Sequence, residues 1–194
     1  MKGIFWNSDG FRDPKKHRFV SDLTKEQNLS FIAISETVRK SFTDSCLRNL
    51  CGGRNFIWHV KEPKGHSGGI LLGIDIDVYD IGAIEEGDYY VKFKLCNKGD
   101  SFKWALTAVY GPAQNDKKEE FLTELVQMTS HETLPILIGG DFNIIHGRHE
   151  KNNANYSDRW SFLFNAIIDV FNLRELELSG RQFTWANNLQ VPTF

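Results

Sequence analysis

Five residues with oxygen or amide side chains stand where apolar runs of this sequence stop: Asn7, Glu36, Tyr110, Asp141 and Asn143. One such ending is ordinary, because strands commonly finish in polar turns. Acids, amides and a phenol are also the set that handles phosphate and a hard divalent cation. Mg²⁺ takes oxygen ligands, usually one or two carboxylates completed by water and phosphate. Glu36 and Asp141 could supply the carboxylates, while Asn7, Tyr110 and Asn143 could hold a phosphate or orient a water. Residue types and spacing alone leave phosphate chemistry and plain strand-end turns both open.

The elements that must position these residues are legible in outline. Leu134-Pro135-Ile136-Leu137-Ile138 is a short apolar run and predicts a strand buried on both faces. Gly139-Gly140 then leave room for a neighbouring backbone, a ligand or a metal to come close. Asp141 and Asn143 are two apart, so in extended backbone they point the same way.

Residues 2–6 predict a strand that ends at Asn7. Asp13 reads as an N-cap with Pro14 at the first helical position, and the helix should fray near Asn28. Lys15-Lys16-His17-Arg18 make its first turn basic, against the dipole preference; a solvated helix face is the simpler reading than a phosphate contact. Residues 31–35 predict a second buried strand with Glu36 at its end, and 41–50 a short helix. Residues 55–60 and 67–74 predict two strands around a basic turn. Asp75, Asp77, Glu85, Glu86 and Asp88 read as solvating acids in turns.

Alternation over 89–95, a turn at Asn97-Lys98-Gly99-Asp100 and alternation over 102–110 predict a hairpin. Asp116 and Glu119 suggest a capping box for a helix with Phe121, Leu122, Leu125, Val126 and Thr129 on one face. His146 and His149 fall in a polar stretch that predicts a surface loop. Trp160, Leu163, Phe164, Ile167, Ile168 and Phe171 recur at helical spacing. Phe183-Thr184-Trp185 predicts a short strand.

The chain has 194 residues, 41% of them hydrophobic and 25% charged, which suits one soluble globular domain over residues 1–194. No apolar run approaches the ~20 residues of a membrane span, and no leader is expected. The three cysteines lack metal-ligand spacing and predict reduced intracellular thiols. A net charge of −2 gives no bulk attraction to nucleic acid. Such binding must rest on local groups or a metal.

Trp6-Asn7, Ile34-Ser35-Glu36-Thr37, Ser67-Gly68-Gly69-Ile70, Val109-Tyr110-Gly111-Pro112, Gly139-Gly140-Asp141-Phe142-Asn143 and Phe183-Thr184-Trp185 occur in the order seen in the endonuclease/exonuclease/phosphatase superfamily. The chain resembles that family along essentially its whole length. Phe183-Thr184-Trp185 and the Arg159-Trp160 helix look most like the endonuclease domain of plant non-LTR retrotransposons.

The resemblance implies a four-layer α/β sandwich of two packed mixed β-sheets flanked by helices, with the site at one end of the sheets. It implies Mg²⁺ or Mn²⁺ as cofactor, DNA as partner, a monomer, and a nuclear location if the retrotransposon likeness holds. Glu36 is the implied metal ligand, with Asn7 near metal and phosphate. Asp141 is implied to orient or activate water, Asn143 and Tyr110 to contact phosphate, and Thr184 to sit at the rim of the nucleic-acid groove. The family also carries a later aspartate and a final Ser-Asp-His-like motif. Neither occurs before Phe194, so an incomplete domain of weak or no activity is expected.

Overall fold

The computed structural model describes residues 1–65, 68–147 and 158–176. They fall into two compact units, one of residues 1–111 with 132–141, the other of 112–131 with the described residues after 141. The predicted strand and rim residues Phe183, Thr184 and Trp185 lie outside the described residues, as does His149.

The first unit holds two mixed four-stranded sheets, ordered β1-β2-β4-β3 and β5-β6-β7-β8. The first sheet comprises β1 (Gly3–Asn7), β2 (Phe31–Ser35), β3 (Phe56–Lys61) and β4 (Ile70–Asp75). The second comprises β5 (Tyr79–Glu86), β6 (Tyr90–Asn97), β7 (Lys103–Tyr110) and β8 (Ile136–Asp141). β1 and β2 are parallel, as are β7 and β8; the remaining pairs are antiparallel. Alternate residues of β2 and β4 serve two cores. Phe31, Ala33, Ile70, Leu72 and Ile74 meet Val91, Phe93, Leu95, Trp104 and Leu106 of the second sheet. Ile32, Ile34 and Leu71 pack instead with Val20 of α1 (Pro14–Gln27) and Leu50 of α2 (Asp44–Leu50). Each Val, Leu, Ile or Phe among them contributes about 1.5–3 kcal/mol by leaving water. The expected pair of mixed sheets with flanking helices is what the chain forms.

α1 begins and ends where its punctuation demands. Asp13 accepts from the Lys15 N–H, Pro14 opens the helix, and Asn28 closes it in the left-handed region at φ 54°.

Several expectations are corrected. β8 is only partly buried, not enclosed on both faces; among the described residues it pairs with β7 alone. The strand β5 was not legible, because a register shift between Ile81 and Ile84 breaks its alternation. Asp75 is no solvated turn residue: it is fully buried and ion-paired to Arg54. Glu85 and Glu86 are likewise strand residues held by lysines, Glu85 by Lys92 and Glu86 by Lys61.

Lys92, with 2% of its side chain exposed, also pairs at 3.0 Å with Glu132, of which 1% is exposed. The other Glu132 oxygen accepts the N–H groups of Thr133 and Leu134 on the way into β8. Burial opposes the Glu132 charge, yet the Leu134 N–H and Lys92 outweigh it and hold the pKa below the ordinary 4.5. A depressed folded pKa contributes stability above the unfolded value that is lost as pH falls through the folded one. Unfolding midpoints measured from pH 6 to pH 3 should therefore drop less steeply in Glu132→Gln than in the parent chain.

The second unit contains a 3₁₀ turn (Asn115–Lys117), α3 (Lys118–Ser130) and α4 (Asp158–Val170). The expected capping box does not form, because the 3₁₀ turn places Asp116 ahead of the helix and Lys117 at its cap without a side-chain bond. Phe142 packs between Phe121 and Phe164, at ring-centroid distances of 6.5 and 5.1 Å.

Candidate active site

The first unit brings Asn7, Glu36, Tyr110 and Asp141 to one end of its sheets. Register explains how. Asn7 pairs with Ser35 at the end of β1 and β2, and Tyr110 pairs with Asp141 at the end of β7 and β8. Parallel neighbours deliver both C-terminal ends to the same edge. The Asn7 amide donates to the Asp141 carboxylate at 2.5 Å across 134 residues of sequence. Its carbonyl end accepts the Asp9 N–H at 3.1 Å. Asn7 is thus engaged in aiming the acid, with both ends of its amide used.

Tyr110 lies beside three carboxylates. Burial, then the Glu36 charge and a hydrogen bond to it, then Asp141 and Asp9, push the phenol well above its ordinary range. It therefore stays a proton donor at any working pH. Asp9 was missed in the sequence, although it lies only two residues beyond the end of β1. The signal was there in Asp9-Gly10, an acid followed by a turn glycine at a strand end that already carried Asn7.

Left-handed backbone concentrates around these residues: φ is 44° at Asp9, 55° at Glu36 and 52° at Val38. For a β-branched valine this is a costly conformation. Neighbouring segments hold it. Ser8, Gly10 and Phe11 donate their N–H groups to the carbonyls of Ser35, Glu36 and Thr37, while Thr37 and Val38 donate to Gly69 and Gly68. Gly68 and Gly69 sit at φ 90° and 86°, and a Cβ on Gly69 would lie 2.5 Å from Thr37 Oγ1. The Gly-Gly turn is therefore a mould for the Glu36 loop.

Of the close neighbours expected at the glycines before Asp141, the structure supplies a backbone and a ring. A Cβ on Gly139 would enter the Phe5 ring of the facing sheet, and one on Gly140 would strike the Val109 carbonyl of β7. Asn143 belongs to the second unit. β8 has ended at Asp141 and Asn143 sits at φ 50°, so the extended-backbone argument for a shared direction fails. The loop after it is stapled to α4: Ser161 donates to the Ile145 carbonyl at 2.6 Å and Asn165 to that of His146 at 2.9 Å.

The basic first turn of α1 is also corrected. Lys15 and Arg18 are exposed, whereas Lys16 and His17 turn inward. Lys16 binds the carbonyls of Ser8, Asp9 and Gly10, and His17 that of Phe11.

The donor chemistry fits a hard divalent cation. Glu36 and Asp9 would offer carboxylate oxygens, and the buried hydroxyls of Ser35 and Thr37 on either side of Glu36 have no hydrogen-bond partner among the described residues. No three His, Cys, Asp or Glu side chains among the described residues gather closely enough to form a metal centre by themselves. A cation held here would need water or substrate oxygens to complete its shell.

The family model described as Endonuclease/Exonuclease/phosphatase family matches residues 4–193, and the chain belongs to that family. Its members include nucleases, phosphodiesterases and phosphatases. An AP endonuclease from Archaeoglobus fulgidus superposes with TM-score 0.68 at 13% identity, over 88% of this chain and 70% of that one. The AP endonuclease LMAP from Leishmania major gives 0.65 at 14%, over 88% and 66%. The mannosyl-6-phosphatase Bt3783 from Bacteroides thetaiotaomicron gives 0.52 at 11%, over 73% and 65%. The chain thus spans roughly two thirds of the length of these structures, and the likeness is one of fold. No curated protein matches the sequence. No helix of the described residues is long and apolar enough to cross a membrane.

Proposed function

We propose that this chain is a Mg²⁺-dependent phosphodiester hydrolase acting on DNA, the nicking endonuclease domain of a non-LTR retrotransposon. The observation that carries the reading is the Asn7–Asp141 hydrogen bond beside Glu36 and Tyr110. A carboxylate aimed by an amide is placed to orient a water and take its proton as the water attacks phosphorus in line. The high pKa of Tyr110 suits it to donate to a phosphoryl oxygen. Glu36 holds the divalent cation in this reading, with Asp9 beside it. When bound, the cation stabilises charge on the phosphoryl oxygens and the leaving group. Asn143 contacts the scissile phosphate and Thr184 the rim of the DNA groove. A retrotransposon role places the domain in the nucleus.

Support for a nucleic-acid substrate over a small phosphate ester comes from the two AP endonucleases, whose superpositions exceed that of the phosphatase. The test is plasmid nicking with Mg²⁺ in excess over protein and DNA phosphate and then with excess chelator, beside phosphate release from sugar phosphates. Weak nicking that stops on chelation is the expected result. Phosphate release without nicking would move the chain to the phosphatase branch.

A further inference from the structure

The loop from Ser8 to Phe11 has every backbone polar group assigned. Its N–H groups go to Ser35 O, Asn7 Oδ1, Glu36 O and Thr37 O. Its carbonyls point the other way. Those of Ser8, Asp9 and Gly10 converge on the Lys16 ammonium at 2.5, 3.0 and 3.0 Å, and His17 meets that of Phe11 at 3.1 Å. Successive left-handed residues, Asp9 at φ 44° and Gly10 at φ 81°, bring the three oxygens together.

Three aligned carbonyls around one cation form a coordination shell in which the cation is covalently tethered. An ammonium has three N–H donors, and all three are used here. Without it, three carbonyl dipoles would face one another at close range, and the left-handed turn would lose what holds it. The consequence travels a short, explicit path. The turn presents the Asp9 N–H to Asn7 Oδ1, and Asn7 in turn donates to Asp141.

We propose that Lys16 is a positioning residue for Asn7 and Asp141, and that the carbonyls of Ser8, Asp9 and Gly10 are a latent monovalent-cation site that its side chain fills. The first half rests on the hydrolase reading above; the cation site does not. Removing the tether should open the shell to a free cation of similar size, ammonium or potassium. Tetramethylammonium has no N–H and is too bulky to enter.

The experiment compares the parent chain with Lys16→Ala in ammonium, potassium and tetramethylammonium chloride at equal ionic strength. Amide hydrogen exchange of Asp9, Gly10 and Phe11 and the nicking rate are both read. In tetramethylammonium the variant should lose about 10- to 100-fold in kcat with KM little changed, as when an outer partner of a site is removed. Its three amides should exchange faster. Ammonium or potassium should restore protection and rate in the variant and leave the parent chain unmoved. Should the parent chain fail to nick, the hydrolase reading falls while the exchange data still decide the cation site. Equal exchange in all three salts, or a loss that neither small cation repairs, overturns the proposal. Lys16→Ser, whose short side chain also leaves the shell open, carries the same comparison if Lys16→Ala does not fold.

Discussion

Asp141→Asn should lower the nicking rate by about 10³-fold, within the range for losing a general base, while the protein stays folded. The substitution keeps shape and volume and removes charge and basicity. The Asn7 amide, 2.5 Å from the carboxylate, still finds an oxygen to donate to, so geometry is retained while the proton acceptor is lost. The loss should appear in kcat rather than KM, because the interaction is made with the attacking water and strengthens in the transition state. Thermal melts run alongside distinguish this from unfolding. A variant that nicks within about threefold of the parent chain, well short of that range, would remove Asp141 from the chemistry and with it the proposed mechanism.

Gly140→Ala should cost about 3–4 kcal/mol of stability, combining overpacking with backbone strain. A Cβ there lies 2.1 Å from the Val109 carbonyl and 3.0 Å from its nitrogen, and φ is +129°. The obstacle is backbone in the paired strand, at the register position Val109↔Gly140, so no side chain can swing away. The neighbouring Gly139 meets the Phe5 ring instead, which can shift, and its alanine variant should cost less. Urea unfolding of both variants gives the order directly. For a domain worth about 5–15 kcal/mol in total the Gly140 change consumes much of the margin. Equal stability of Gly140→Ala and the parent chain would mean that β7 and β8 pair otherwise.

What could be read in the chain depended on how local the cause was. Residues 31–35 were placed to the residue because a four-residue apolar run closed by Ser35 fixes both ends, and α1 because Asp13, Pro14 and Asn28 punctuate it. β5 escaped because its bulge breaks the period that announces a strand. Asp75 escaped because its partner Arg54 is 21 residues away and no local pattern pairs them. At the site, Asn7, Glu36, Tyr110 and Asp141 were found by the rule that strand ends carry chemistry. Asp9 and Lys16 were not, since one lies past the strand and the other looked like part of a solvated basic turn. The close approach expected at the two glycines was right in kind, but the sequence left open what approaches. Gly139 and Gly140 are required by Phe5 and Val109, neighbours that only the fold supplies.

The parallel pairing of β1 with β2 and of β7 with β8 also sets a timetable. The first sheet is complete once residue 75 has been made, but its inner face of Phe31, Ala33, Ile70, Leu72 and Ile74 has no cover until the second sheet follows. Asn7 waits longer still, for a partner 134 residues downstream. At ribosomal speeds of about 5–20 residues per second, that interval is about 7 to 27 seconds. During synthesis this chain carries half a sandwich, greasy side outward, and the sheet end that holds Asn7 closes only when β8 arrives.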